Sequence, residues 1–369
     1  MSDSIWFETI SPEDRGLLGA SDPAPATTEV LILGAGLVGL ATAWYLTEAG
    51  VRDICLVDPA GPLAGASSAN AGGLWFSQQS PELGPLTPLA RVSSRLYDEL
   101  GAALEADFDL RRCGLLELLS RPADSIAAVR QAGFRAELLA PDEVRRLEPA
   151  LLPAPHGAVL YPDDGQVNPL KLGVAFVRGL RRRGVHFSPR NKATSDLPSA
   201  GVTVVASGAW TPLVTATLGF EPPIKPMRGQ LLATPRLPPT VHHTVLGPRF
   251  YYWQLVQGFV AGGGTLEDVG FTPGTNPADL EAIRAEMNTL FPGLAEVATA
   301  RAWSGFRPFC ADLCPVIGRV PGHDRTFIAA GHFKKGVMLS PVTGKILADL
   351  ITRGQTDLPI APCDPARFA

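Results

Sequence analysis

The tightest constraint on the fold of this chain lies at residues 29 to 50, where E-V-L-I-L runs straight into G-A-G-L-V-G and then into an apolar segment that reaches Gly50. The first run reads as a strand, Gly34 to Gly36 as a tight turn, and the rest as a helix. I-C-L-V-D, residues 54 to 58, returns as a second strand, so the stretch predicts a βαβ unit. A helical crossover makes the two strands parallel, which places the chain among α/β folds with a Rossmann-like parallel sheet. The 17 uncharged residues from 30 to 46 are marginal for a membrane span and are broken by three glycines. A water-soluble βαβ unit is the better parse.

In that context G-A-G-L-V-G is a dinucleotide fingerprint. Gly34 allows the turn, Gly36 lets backbone approach a pyrophosphate, and Gly39 lets the helix pack on the strand. The helix N-terminus offers N–H groups and a positive dipole end to phosphates. Asp58, 24 residues after Gly34, closes the second strand where it can accept hydrogen bonds from ribose hydroxyls, and it disfavours a 2'-phosphate. These residues leave FAD and NAD both open. The loop P-A-G-P-L-A-G-A-S-S-A-N-A-G-G, residues 59 to 73, suits a chain lying flat against a large planar ligand, with Ser67, Ser68 and Asn70 as polar contacts; a flexible linker is the other reading. A helix at 169 to 183 carries Asn168 as N-cap and Gly184 past its end. It is followed by V-T-V-V-A-S-G-A-W, and near the C-terminus T-F-I-A-A-G-H-F-K-K-G-V-M-L-S-P again reads as strand, turn and helix start.

W-S-G-F-R-P-F, residues 303 to 309, sets Arg307 among apolar neighbours. A guanidinium held there calls for an anion. Asp312, the nearest acid in sequence, is one partner, and a ligand carboxylate is the other.

Composition narrows the partners. Of 369 residues 46% are hydrophobic and 18% charged, enough for a large core in one large or two intimate domains. A net charge of -4, with R-R-R at 181 to 183 the sole basic cluster, speaks against nucleic acid and anionic membrane surfaces. Five cysteines and no recognisable leader fit reduced thiols in a cytoplasmic protein. Cys310 and Cys314 lack a second ligand pair, and His242-His243 sits in a Pro-rich turn, so no metal site is expected. Residues 1 to 27 read as a disordered arm and linker.

Together these pieces resemble the D-amino-acid oxidase superfamily of flavoproteins, and within it the glycine oxidases. The resemblance runs from about residue 29 to 352 on G-A-G-L-V-G, S-S-A-N-A-G-G, V-V-A-S-G-A-W, K-P-M-R-G-Q, W-S-G-F-R-P and A-A-G-H-F-K-K-G-V-M-L-S-P-V-T-G-K. It implies noncovalent FAD, with Gly34, Gly36, Leu37, Val38, Gly39, Asp58, Pro59, Ala66, Ser67, Ala71, Gly72 and Gly73 at cofactor positions. His332, Phe333, Lys334, Lys335, Gly336, Val337 and Met338 would run along the flavin ring, and Ala193 is a weaker match to an adenine contact. It implies an FAD domain from 28–80, 155–222 and 308–360, a mixed-sheet substrate domain from 81–154 and 223–307, and a tail at 361–369. In the second region strands are expected at 224 to 234, 249 to 256 and 258 to 264, and a helix at 277 to 290.

By the same resemblance Arg307 pairs with a substrate carboxylate, Tyr251 assists it with Tyr252 as its register rival, and Lys334 is a substrate contact. The chemistry implied is oxidation of glycine or an N-substituted glycine to glyoxylate and an amine, with molecular oxygen reduced to hydrogen peroxide. The partners implied are thus an amino acid substrate and oxygen, and a homo-oligomer is compatible. Leu266 stands where sarcosine oxidases carry a lysine, which keeps open a D-amino acid dehydrogenase passing electrons to a quinone. A non-catalytic flavin-binding subunit and a nicotinamide-dependent dehydrogenase are the other readings. Two departures bear on substrate size. Gly73 replaces a bulky residue and would enlarge the pocket if nothing else fills it, and Arg249, two residues before Tyr251, adds a second cation for a larger, dicarboxylate substrate.

Overall fold

A computed structural model describes residues 4–78, 84–121, 130, 133–152, 154–188 and 197–369. The strand Thr27–Leu33, the helix Leu37–Glu48 and the strand Ile54–Val57 form the expected unit, with the two strands in parallel register. Gly34 sits at φ +118°, a conformation closed to most side chains, and a Cβ there would collide with the Ala206 carbonyl. The helix is apolar all round because it is covered on several sides, packing against the helices Pro169–Arg182 and Gly336–Arg353 as well as the sheet.

Six strands make the first sheet, in the order Val316–Arg319, Thr326–Ala330, Ser199–Val205, Thr27–Leu33, Ile54–Val57, His186–Ser188. All neighbours are parallel except the first pair. The second sheet has eight strands in the order Arg301–Cys310, Ile224–Arg236, Phe259–Gly263, Tyr251–Gln254, Thr244–Leu246, Leu115–Leu118, Ala158–Tyr161, Glu137–Leu139. It is mixed, because Thr244–Leu246 runs parallel to Leu115–Leu118 and the rest are antiparallel. The helix Pro277–Leu290 covers it, with Ile283 and Met287 buried.

The sheets are not separate bodies. Ile224 and Cys310, paired at one end of the long ribbon in the mixed sheet, share a buried cluster with Val205, Val316, Ile328 and Ala330 of the parallel sheet.

Three expectations need correction. Residues 4 to 20 are folded rather than disordered: Ile5–Thr9 is a 3-10 turn, Pro12–Gly19 a helix capped by Ser11, and Ile5, Trp6 and Leu18 are buried in the main core. The strand Ala158–Tyr161, expected in the FAD domain, belongs to the mixed sheet. The helix Thr87–Leu104, expected in the substrate domain, packs on the helix Gly336–Arg353, with Ser93 and Tyr97 donating to the carbonyls of Met338 and Val337. Residues 361–369, the expected tail, pack with Cys363 and Pro365 buried. Ala193 lies outside the described residues.

Candidate active site

One cavity of about 1470 Å³ runs between the sheets. Pockets for drug-sized ligands are roughly 300–1,000 Å³, so this one has room for a dinucleotide and a small substrate together. At one end Gly34, Gly36, Leu37, Val38, Asp58, Pro59, Ala66 and Ser67 line it. Asp58 accepts the N–H groups of Ala35 and Ala60, each at 3.0 Å. Burial pushes its carboxyl above the usual range, and the backbone donors pull the other way. The Ser67 hydroxyl accepts the Leu37 N–H at 2.9 Å, at the start of that helix, where backbone N–H donors are exposed. Gly39 does not line the cavity. A Cβ there would strike the Gly34 carbonyl, so its bare Cα serves close packing of helix on turn.

The loop that follows is no flexible linker. Asn70 ties it internally, donating to the Ser67 carbonyl at 2.7 Å and accepting the Gly72 N–H at 2.7 Å. Two indoles clamp it from outside, Trp303 donating to the Ala69 carbonyl at 3.1 Å and Trp6 to the Asn70 carbonyl at 2.6 Å. Ala71, Gly72 and Gly73 thereby form a fixed, nearly side-chain-free wall of the cavity. The same cavity is lined by His332, Phe333, Lys334, Lys335, Gly336, Val337 and Met338, so the N-terminus of the helix Gly336–Arg353 borders the space. Its positive dipole end favours negative charge there. Burial holds the His332 imidazole down, at about 4, so it is neutral at neutral pH. Lys334 is exposed, its ammonium 5.1 Å from the Phe333 ring.

Beyond this wall the cavity is lined by Arg307, Tyr251 and Arg249. Arg307 pairs in register with Met227, next to the Gly229–Gly305 pair on the same face of the ribbon. Its guanidinium lies across Gly229, in the space a Cβ would take. Nη1 donates to the Thr265 carbonyl at 2.8 Å, and among the described residues no carboxylate pairs with it. Asp312 is not its partner. That carboxylate binds Arg367 at 2.7 Å, which holds it below the ordinary range despite burial.

The tyrosine register is also resolved. Tyr251 lines the cavity, whereas Tyr252 is fully buried and its hydroxyl lies 3.2 Å from the Ile283 carbonyl. Arg249 is off the strand, which begins only at Tyr251. It sits exposed in the hairpin connection, its guanidinium 4.9 Å from the Phe250 ring, yet still on the cavity wall. His242 and His243 are engaged elsewhere, with the buried Glu148 carboxylate taking the His242 N–H at 2.9 Å and standing 2.7 Å from His243 Nδ1.

The expected enlargement at Gly73 is overturned. The space above Gly73 is filled by the indole of Trp75, which meets Tyr251 edge-on with ring centroids 4.9 Å apart. Trp75, Trp210, Leu246 and Phe306 also line the cavity and were not singled out as site residues from sequence. Trp210 and Phe306 lie inside quoted motifs, but nothing in their spacing distinguishes a lining aromatic from a core one.

Comparison with known proteins matches this architecture. The family model described as DAO, FAD dependent oxidoreductase, matches residues 29–350. Hydrogen cyanide synthase subunit HcnC of Pseudomonas aeruginosa is 29% identical, over 93% of this chain and 96% of that protein. Glycine oxidase of Geobacillus kaustophilus is 29% identical over 90% of this chain and 95% of its own length. The crystal structure of glycine oxidase from that organism superposes with a TM-score of 0.86 at 26% identity, covering 94% of this chain and all of that one (100%). D-amino acid dehydrogenase of Allorhizobium ampelinum is 27% identical over 92% of this chain.

Proposed function

This chain belongs to the DAO family of FAD dependent oxidoreductases, and on that premise we propose that it oxidises glycine or an N-substituted glycine to glyoxylate and the corresponding amine. The observation that carries the reading is the charge of Arg307, which faces the cavity without a carboxylate partner among the described residues while Asp312 is taken by Arg367. A planar guanidinium grips a carboxylate through two parallel hydrogen bonds. Tyr251, which lines the same cavity, offers its hydroxyl as a further donor.

Bound FAD supplies the two-electron oxidation of a C–N bond. The protein's own share is binding and orientation, in which Arg307 and Tyr251 fix the acid end of the substrate and leave its amine-bearing carbon toward the Gly72–Gly73 wall. The imine product is hydrolysed by water, and oxygen, the proposed electron acceptor, leaves as hydrogen peroxide. No cysteine lines the cavity among the described residues, which supports noncovalent attachment of FAD. Arg249 at the cavity wall supports a substituent ending in a second carboxylate, although the pocket is not enlarged at Gly73.

The test is anaerobic titration of the holoenzyme with glycine, sarcosine, iminodiacetate, N-carboxymethyl amino acids and D-alanine, followed by flavin absorbance. Glycine-type substrates should bleach the flavin, and readmitting air should restore it with one peroxide per turnover. Equal reduction by amines that lack a carboxylate would refute the role of Arg307.

A further inference from the structure

Trp75 stands between the flavin-side wall and the carboxylate-side residues. Its backbone follows the short strand Gly73–Leu74, which is pinned by pairing with Gly165–Gln166. From there the indole folds back over Gly73. The nearest neighbours of a Cβ built on Gly73 are three atoms of that ring, among them Cζ2 at 2.7 Å and Nε1 at 2.8 Å. The ring also packs against the cluster of Leu115, Ala136, Val159 and Tyr161, and it meets Tyr251 edge-on. Nε1 is buried and has no acceptor among the described residues. Among the described residues the indole is therefore held by packing and ring contact rather than by a hydrogen bond, and the bare Cα of Gly73 is part of that packing.

We propose that Trp75 is the specificity-determining wall of the substrate pocket, gauging the group carried on the substrate nitrogen, and that Gly73 positions it. The inference rests on reading this end of the cavity as an amino-acid site. A side chain at residue 73 and the indole of residue 75 compete for one volume, so the two positions act as a unit. With glycine at 73 the ring lies back against the wall. A methyl group at 73 pushes it off the wall and into the cavity.

The test uses unreactive carboxylates, so that it does not depend on turnover. Acetate and benzoate are titrated into FAD-loaded protein, and dissociation constants are read from the perturbed flavin spectrum. Trp75→Ala should raise affinity for benzoate relative to acetate by about tenfold or more, the scale on which apolar pockets discriminate by a methylene or two. Gly73→Ala should lower that ratio several-fold in the native background and leave it unchanged in the Trp75→Ala background, since the ring it displaces is gone. If Trp75→Ala fails to fold, Trp75→Phe is expected to shift the ratio in the same direction by a smaller factor. A ratio unaltered by either Trp75 variant, or independent effects at residues 73 and 75, overturns the proposal. Coupled binding effects without flavin reduction by any amine would instead refute the reading of the reaction.

Discussion

Arg307→Ala tests the site most directly, and the structure separates its functional effect from its structural one. Truncation of one partner of a close charged pair removes about 2–5 kcal/mol of binding, which converts to a loss in kcat/KM of roughly 30-fold to 5,000-fold. Among the described residues the variant gives up one side-chain hydrogen bond, to the Thr265 carbonyl at 2.8 Å. Bonds to charged groups contribute about 1.5–3 kcal/mol, and half-burial puts this one toward the lower end. The variant should fold, keep FAD and lose substrate. Gly229→Ala provides a second perturbation that keeps the charge. Cζ, Nη1 and Nη2 of Arg307 all lie inside the space the new methyl needs, but they are the movable end of a side chain, so the guanidinium shifts while the ribbon survives. Substrate affinity should fall in both variants, measured as the concentration dependence of anaerobic flavin reduction. Unchanged efficiency in Arg307→Ala would reduce the arginine to a buttress for Thr265, and an unchanged KM in Gly229→Ala would show that its acting position is not the one against Gly229.

Trp6→Phe removes the N–H that holds the Asn70 carbonyl at 2.6 Å; at about 0.5–1.5 kcal/mol this should weaken FAD binding by roughly two- to tenfold, read by fluorescence on reconstituting apoprotein, and an unchanged affinity would refute a cofactor role for the N-terminal segment. Acid precipitation of the holoenzyme should release yellow FAD into the supernatant, and flavin retained in the pellet would refute noncovalent attachment. Asp164 accepts the Ser77 N–H at 2.9 Å, yet burial pushes its carboxyl up to about 7. Because the folded chain then holds a proton that the unfolded chain has lost, this group's contribution to stability declines as pH rises from about 4 to 7 and is flat above. Asp164→Asn should cancel that slope, so the Tm of the native chain minus that of the variant should drop across this window in parallel melts, and a constant difference would refute the assignment.

The parts of this site that sequence made legible are those in which backbone conformation or register is the message. Gly34 must turn and Asp58 must close its strand, and both constraints are local enough to leave a spacing in the chain. Side-chain partnerships carry no such spacing. Asp312 is a candidate partner for Arg307 on sequence only because it is five residues away, whereas its actual partner, Arg367, is 55 residues on. Gly73 implied an opening, since an absent side chain is visible in a sequence and the indole that folds into its place is not. The N-terminal segment reads as a disordered arm from sequence, yet it is folded in the structure. Ser11, three residues before Asp14, was a readable helix start, and its hydroxyl does accept the Asp14 N–H at 3.1 Å. That Trp6 would be buried depended on a long-range contact, to Asn70, that no local pattern encodes.

The ribbon formed by Ile224–Arg236 and Arg301–Cys310 has a consequence for anyone recombining this scaffold. One end carries Arg307, and its last pair, Ile224 and Cys310, lies inside the hydrophobic cluster of the other sheet. A chimera that transplants the mixed sheet to change substrate preference therefore cuts through a shared core unless it also carries Val205, Val316, Ile328 and Ala330 or their equivalents. The same continuity makes the two sheets one melting unit, so calorimetry should show a single transition. Crossover points that look neutral in an alignment, at the ends of the ribbon, are where hybrid proteins would come apart.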